Sequence, residues 1–314
     1  MRVRQQSPAL VVHTPAKLNL FLEILGKRPD GFHELETLMV TVGLYDTLRF
    51  TEDDSSASPV RSASATSAAD LASEIHLSCH WAGPPEFSPG PIPTGRDNLV
   101  VRAAELLREV TGIRRGVSIE LTKRIPMAAG LAGGSSDCAA TLFALNQLWK
   151  LGLSDQRLLE LAARLGSDIA FFLTRTSAAV CRGRGEIIDP VAAPMRLHFV
   201  IAKPASGLST AAVFRQCRPT ALPRSVQPLV GSLRAGRLSV AARQLHNALQ
   251  PPAEQLNSDV VRLRRTFSRL PFLGHQMSGS GTSYFGVCSQ FDQARALAAQ
   301  VRSAGCGDVF VAST

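Results

Sequence analysis

The sequence predicts an α+β protein built from two domains. Its 314 residues, 45% of them hydrophobic and 19% charged, are enough to form two cores of ordinary size. Strand-like alternation occurs at residues 17–25, 117–123 and 197–202, and segments with helical spacing lie between them. Strands and helices mixed in this way along the chain are typical of an α+β architecture.

The first predicted element is a strand at residues 17–25. Leu18, Leu20 and Leu22 fall on one face, and Lys17 and Asn19 fall on the other. This alternation predicts a strand with one face in the core. Taken alone, Lys17 and Asn19 are then expected to be solvated.

The remaining elements follow in a regular order. The pattern predicts a turn at 28–31, strands at 37–44 and around 48–50, a helix from Asp97 or Asn98 to Gly112, a strand at 117–123, helices at 135–149, 154–165 and 169–173, a strand at 197–202, helical material at about 208–270, a strand at 283–288, a helix at 291–302 and a strand at 308–312. A connector near Pro194 divides an N-terminal domain, 1–194, from a C-terminal domain, 195–314.

Residues 53–95 do not fit that order. Residues 53–73 are mostly Ser and Ala without periodicity, and five prolines follow between Pro84 and Pro93. This composition predicts a long, partly mobile surface excursion around one short strand near residues 75–79.

Composition excludes several classes of protein. No apolar run reaches the ~18 residues of a membrane span, and the apolar stretch after Pro8 is too short for a signal peptide. The six cysteines form no metal-binding spacing, so a cytoplasmic protein with reduced thiols is expected. The net charge of +9 arises from Lys203 onward, which is consistent with either nucleic acid or polyanionic small molecules as ligands.

Two loops rich in glycine and serine are the strongest local signals. Residues 126–136 follow a strand and open a helix, where free N–H groups favour an anion; the alternative is a tight turn with a serine cap. Residues 277–282 are either an anion-binding nest or a flexible linker. Asp168 stands at a helix start, where a capping role is the simpler interpretation.

Together and in this order, the motifs resemble the GHMP kinases. The resemblance rests on residues 15–20, 31–35, 98–100, 126–136, 165–169, 183–186 and 277–282. It implies an N-terminal domain like the second domain of ribosomal protein S5, a ferredoxin-like C-terminal domain, and ATP-dependent phosphorylation of a small alcohol with Mg²⁺. Lys17-Leu18-Asn19 with Gly31-Phe32-His33 resembles the members whose acceptor is a cytidine diphosphate ester, phosphorylated on a 2-hydroxyl.

The resemblance assigns roles to individual residues. Asp168 would be the base for the attacking hydroxyl, and Lys17 would stabilise the developing charge. The acceptor would be held by Asn19, Phe32, His33 and Phe214. The ATP site would comprise Asn98, Leu99, Pro126, Met127, Ala128, Ala129, Gly130, Leu131, Ala132, Gly133, Gly134, Ser135 and Ser136, with Ser136 near Mg²⁺. Ser280 and Gly281 would line the phosphate side of the cleft.

Five positions depart from the family pattern. Phe32 stands where tyrosine is usual, and Ala248 stands where an aspartate often follows the asparagine at 247. Ala128, Ala129 and Ala132 stand where glycine is common, and alanine is tolerated easily only at negative φ.

The expected binding partner is a small molecule, and neither nucleic acid nor membrane is expected to bind. The expected oligomeric state is a monomer or a weak homodimer. Two rival hypotheses remain: a GHMP kinase for another alcohol, and a non-catalytic basic binding module.

Overall fold

A computed structural model describes residues 1–6, 9–53, 74–192 and 196–314, and within them two β-sheets organise the chain. The first sheet contains β1 (Arg2–Gln6), β2 (Ala9–Lys27), β3 (His33–Asp53), β4 (Ile75–Trp81), β5 (Gly116–Lys123), β6 (Ala178–Gly183), β7 (Ile187–Pro190) and β9 (His246–Asn247). The second contains β8 (His198–Lys203), β10 (Gly274–Met277), β11 (Tyr284–Cys288) and β12 (Asp308–Ser313).

Ten α-helices pack on these sheets in the described part of the chain. They are α1 (Leu99–Thr111), α2 (Gly133–Leu148), α3 (Asp155–Leu165), α4 (Ile169–Leu173), α5 (Thr210–Gln216), α6 (Gln227–Arg234), α7 (Leu238–Ala242), α8 (Gln250–Leu256), α9 (Ser258–Phe267) and α10 (Phe291–Ser303). The α+β fold class expected from the sequence is confirmed.

The backbone of the first sheet is a long antiparallel hairpin of β2 and β3. Gly31, with φ of 85°, closes the predicted turn by donating its N–H to the Arg28 carbonyl at 3.1 Å. The two strands that were expected at 37–44 and 48–50 are one strand, β3. It pairs with β6 through residues 35–40 and with β5 through residues 47–53, so the sheet branches along one continuous strand.

The expectation that β2 has only one buried face is wrong. Its apolar residues enter all three hydrophobic clusters of the protein, for example Val12, Leu18 and Ile24. Lys17 and Asn19, on the face expected to be solvated, are only 3% and 1% exposed. A central strand covered on both sides places these polar groups inside the molecule, where each needs a partner.

The second sheet has the order β10-β11-β8-β12 with every neighbouring pair antiparallel. Leu297 and Val301 of α10 are buried against it in one cluster with Val200 and Ala202. The short strand β9 comes from the C-terminal part of the chain but belongs to the first sheet, where it pairs parallel to β2. The domain boundary expected after Pro194 falls within residues 193–195, outside the described residues.

Part of the excursion expected at 53–95 can be assigned. Residues 54–73 lie outside the described residues, but β4 joins the sheet edge parallel to β5, and a short 3₁₀ helix follows at Pro85–Phe87. Ile92 and Pro93 line the main cavity. The segment after residue 73 is therefore a structured part of the protein.

Replacing residues 54–73 by a short Gly/Ser linker is expected to leave turnover unchanged. The two ends flank the same strand, since Asp53 pairs with Gly116 and Ile75 pairs with Val117. Two strand spacings, about 10 Å, separate them. Comparing kcat and the unfolding midpoint of the shortened and full chains is the test, and loss of folding would contradict it.

Candidate active site

One large cavity, of about 1060 Å³, opens between the two sheets. Its wall combines strands β2 and β3, the loop before α2, the start of α4, helix α5 and the loop between β10 and β11. All of the site residues expected from the sequence line this cavity except Leu131 and Ser136. Segments far apart in the chain thus meet around one space.

At its centre lies a lysine–carboxylate pair. The Lys17 ammonium is 3.5 Å from an Asp168 carboxylate oxygen and donates to Asn19 Oδ1 at 2.6 Å. Asn19 in turn donates from Nδ2 to the Thr37 hydroxyl at 2.8 Å. Lys17 is therefore held rigidly on a buried strand, and its charge faces a carboxylate that is still 31% exposed.

Asp168 does not cap the helix that it precedes. It stands at the N-cap of α4, but its side chain accepts no capping hydrogen bond from the described residues. The simpler capping interpretation is thus wrong. The Asp168 carboxylate faces the cavity with Lys17 as its ion-pair partner, so it is available to a ligand.

The loop at residues 126–136 combines a helix N-terminus with left-handed backbone. Ala128 and Ala132 have φ of 48° and 54°, the conformation that glycine adopts freely and alanine at a cost of about 1–2 kcal/mol. At Gly130, with φ of 73°, an added Cβ would lie 2.1 Å from the Ser278 carbonyl oxygen. Only glycine fits there, because the second glycine loop packs directly against this one.

Two residues assigned to the nucleotide loop lie off the cavity. Leu131 has its side chain buried in the core, and its backbone carbonyl accepts the Lys17 backbone N–H at 3.0 Å. Ser136 is fully buried, and its hydroxyl has no hydrogen-bond partner among the described residues. Ser135, which is half-buried, is the serine of this loop that lines the cavity.

A buried charge cluster beneath the loop was not expected from the sequence. Lys123, at the end of β5, donates to Asp46 of β3 and, at 2.9 Å, to Asp137 of α2. Asp46 also accepts the backbone N–H groups of residues 124 and 125, and the Thr14 hydroxyl donates to Asp137 at 2.9 Å. The cluster ties three elements together under the phosphate-loop backbone.

The electrostatics of this cluster follow from burial. Burial raises the pKa of Asp137 to about 7, against the opposing charge of Lys123. Burial alone would lower the pKa of Lys123, but Asp137 and Asp46 outweigh it and raise that pKa. Lys123 is therefore permanently charged and fully engaged by its two carboxylates.

Aromatic rings cluster at the opposite end of the cavity. Phe32 is 51% exposed, and the Arg184 guanidinium lies over its ring at 4.6 Å from the centroid. His33 and Phe214 have ring centroids 5.3 Å apart. Burial, with the charge of Lys27, lowers the pKa of His33, so this ring is neutral at physiological pH. Arg184 lies in the motif at residues 183–186, but the sequence assigned no role to its side chain.

The second glycine loop is ordered and buried, which excludes the linker interpretation. Ser278 donates its N–H to the Ser283 carbonyl at 2.9 Å, and Gly281 donates to the Ser278 carbonyl at 3.0 Å. The Ser280 hydroxyl lies 2.8 Å from that of Thr210 at the start of α5. The loop presents Ser280 and Gly281 to the cavity.

Asn98 and Leu99 line the end of the cavity beyond the first loop. The Asn98 side chain accepts the Val100 N–H at 3.0 Å as a helix cap and donates to the Pro93 carbonyl at 2.8 Å. These bonds fasten the segment that carries Ile92 and Pro93 onto the cavity wall. The Asn98 side chain is thus already engaged in holding that wall.

No group of three or more His, Cys, Asp or Glu side chains in the described ranges is arranged to hold a metal ion. Among the described helices, none has the length and apolar character needed to cross a membrane.

Comparison with known proteins defines the class. The family model for the N-terminal domain of GHMP kinases matches residues 98–175, and that for the C-terminal domain matches residues 229–305. The chain belongs to the GHMP kinase family.

Individual relatives are more specific. The chain is 39% identical over 289 residues to 4-diphosphocytidyl-2-C-methyl-D-erythritol kinase of Pelotomaculum thermopropionicum, covering 91% of this chain and 92% of that one. The enzyme of that name from Alkaliphilus metalliredigens is 37% identical, with 89% and 88% covered.

Solved structures give the same result. A crystal structure of 4-(cytidine 5'-diphospho)-2C-methyl-D-erythritol kinase superimposes with a TM-score of 0.74 at 32% identity, covering 96% of this chain and 98% of that one. Homoserine kinase from Cytophaga hutchinsonii, at 19% identity and a TM-score of 0.69 over 99% and 96% of the two chains, shares the fold.

Proposed function

We propose that the protein transfers the γ-phosphoryl group of ATP to the 2-hydroxyl of 4-diphosphocytidyl-2-C-methyl-D-erythritol. The products are the 2-phosphate and ADP, in the non-mevalonate route to isoprenoid precursors. The observation that carries this proposal is the Lys17–Asp168 pair, which lies in one cavity with a glycine-rich phosphate loop and an aromatic cluster. The relatives that share most of the chain's length bear the name of this activity.

The donor fits the end of the cavity that contains the first loop. Free backbone N–H groups at the start of α2 and the left-handed turns before it form an anion-binding concavity for the phosphates. Leu99, Ile92 and Pro93 provide an apolar wall for the adenine. Ser280 and Gly281 of the second loop close the phosphate side.

The chemistry belongs to Lys17 and Asp168. The Asp168 carboxylate orients the 2-hydroxyl and takes its proton as the new O–P bond forms and the bond from the γ-phosphorus to the ADP oxygen breaks. Lys17, 3.5 Å from Asp168, stabilises charge on the attacking oxygen and the transferring phosphoryl group. Rigid anchoring of Lys17 by Asn19 keeps that charge in place throughout.

The acceptor fits the aromatic end. A cytosine ring can stack on Phe32 and Phe214, and neutral His33 can exchange hydrogen bonds with its polar edge. Asn19 contacts the methylerythritol unit beside Lys17. In this arrangement the 2-hydroxyl would lie beside Lys17 and Asp168, between the cytosine and the γ-phosphate of ATP.

Magnesium is compatible with the residues that line the cavity. Mg²⁺ keeps several waters and binds largely through substrate phosphates, so the sparse set of protein ligands here is what it requires. The residues facing it would be Ser135 and Asp168, rather than Ser136, whose hydroxyl lies off the cavity. When bound, the ion would neutralise charge on the phosphates.

Phe32→Ala is expected to raise KM for the cytidyl substrate, because base–aromatic stacking is worth about 1–3 kcal/mol per base. KM for ATP should not change. Steady-state kinetics with each substrate varied in turn measures both. Phe291→Ala is the matched control, since Phe291 is 47% exposed and lies outside this cavity. A change confined to KM for ATP would show that Phe32 does not belong to the pocket for the cytidyl substrate.

The proposed activity is tested by ADP release with a panel of acceptors. We expect turnover with 4-diphosphocytidyl-2-C-methyl-D-erythritol and none with mevalonate, homoserine or galactose. Turnover with one of the other alcohols alone would show a GHMP kinase of different specificity. Absence of turnover with all four would favour a binding module.

A further inference from the structure

Asn247 forms a buried junction behind the second glycine loop. It lies in the short strand β9, and its side chain is almost fully enclosed. Its Nδ2 donates to the carbonyls of Met277 and Gly279, both at 2.8 Å. Its Oδ1 accepts the Leu249 N–H at 2.9 Å. The amide nitrogen is therefore used to hold the second glycine loop, and the carbonyl oxygen holds the turn that leads into α8.

The loop that Asn247 holds lies beside Lys17 and Asn19. Gly279 has φ of 57°, and a Cβ built there would lie 3.3 Å from Lys17 Nζ and 3.3 Å from Asn19 Oδ1. The Gly130 carbonyl would be 3.2 Å away. The side of Gly279 that lacks a side chain therefore faces Lys17 and Asn19, so the position of this peptide sets the space around the Lys17 ammonium.

Asn247 also fixes the loop relative to the strand that carries Lys17. Asn247 is in parallel register with Leu22 of β2, and the Ala248 N–H donates to the Leu22 carbonyl at 2.9 Å. Lys17 and Asn19 lie on that same strand. Through its backbone and side chain, Asn247 therefore links β2, which carries Lys17, to the second glycine loop, which lies beside Lys17.

We propose that Asn247 is a positioning residue for phosphoryl transfer, setting the distance between the second glycine loop and Lys17. It contacts the loop backbone and acts through it. The inference rests on the proposed kinase activity. It goes further because it makes the turnover rate depend on a side chain that does not line the cavity.

The test is Asn247→Asp, which keeps the shape but replaces two N–H donors by an oxygen facing two carbonyl oxygens. A misplacement of about 1 Å is worth about 10²-fold in rate, so kcat per folded molecule should fall toward that extent while KM for the cytidyl substrate is kept. Folded fractions are measured by circular dichroism and urea unfolding.

Asn146→Asp is the matched control. Asn146 ties another loop in the same manner, donating to the Leu153 carbonyl at 2.9 Å and accepting its N–H at 3.0 Å, outside the cavity. That variant should lose stability and retain kcat per folded molecule. Equal retention of kcat in Asn247→Asp would overturn the proposal.

Two further comparisons keep the result unambiguous. If Asn247→Asp does not fold, Asn247→Ala removes the same donors without adding a negative charge, and its kcat is read against the same expectation. Wild-type turnover is measured first: an inactive wild type overturns the proposed function, whereas an active wild type with equally active Asn247 variants overturns the positioning role alone.

Discussion

Asp168→Asn is expected to lower kcat by about 10²–10⁴-fold, the usual contribution of a positioned acid–base group. The amide keeps the size of the side chain but cannot accept the hydroxyl proton, and it removes the charge that faces Lys17 at 3.5 Å. Binding of both substrates should be largely retained, because many other residues line the cavity and are available to contact the substrates. Steady-state kinetics and equilibrium binding of ATP together measure the two effects.

Asp155→Asn is a suitable control for that experiment. Asp155 begins α3 and is 85% exposed, outside the cavity. Its replacement should change neither kcat nor KM. Near-normal turnover of Asp168→Asn would remove Asp168 from the mechanism, and a loss confined to KM would make it a binding residue only.

Lys123→Met is expected to destabilise the protein by about 3–5 kcal/mol, the cost of leaving buried charges without a partner. The variant would strand Asp46 and Asp137, which are 0% and 2% exposed. Adding Asp137→Asn should recover part of the loss, because the protein then no longer has to protonate this buried carboxylate or leave it charged without its lysine partner. Urea unfolding of the single and double variants measures both free energies.

Lys150→Met controls for the general loss of a lysine, since Lys150 is exposed after α2. It should change the unfolding free energy little. A Lys123→Met variant as stable as Lys150→Met would show that the cluster contributes nothing to holding β3, β5 and α2 together.

Local signals in the sequence predicted the ends of α1 and α3 well, whereas residues 208–270 were expected only as helical material and contain α5 to α9 and the strand β9. The α1 helix begins at the Asn98 cap and ends at Gly112, with φ of 71°, and α3 begins at Ser154, whose side chain accepts the Arg157 N–H. Capping and left-handed termination depend on residues a few positions apart. The sequence therefore contains all the information that sets these boundaries.

The charge cluster and Asn247 could not be predicted in the same way. Asp46 and Lys123 are 77 positions apart, and Asn247 holds the Met277 carbonyl 30 positions away. Their meeting depends on which strands become neighbours in the sheet, which alternation alone does not specify. The burial of both faces of β2 was missed for the same reason.

Two alanines of the first loop adopt a backbone conformation that their residue type disfavours. Alanine is tolerated easily only at negative φ, yet Ala128 and Ala132 adopt positive φ. The surrounding structure over-determines the loop: an added Cβ at Gly130 meets the second loop, and one at Gly133 would meet Ile125 and Lys123 at about 3 Å. Packing thus imposes the conformation that the residue type disfavours.

The central claim is that this site phosphorylates one hydroxyl of one acceptor. It is tested most directly by incubating the protein with ATP, Mg²⁺ and 4-diphosphocytidyl-2-C-methyl-D-erythritol, then locating the new phosphate by phosphorus–proton correlation NMR. The account predicts a single product with the phosphate on the 2-hydroxyl and one ADP released per product. Phosphate on another hydroxyl, or ADP released without a phosphorylated acceptor, would contradict it.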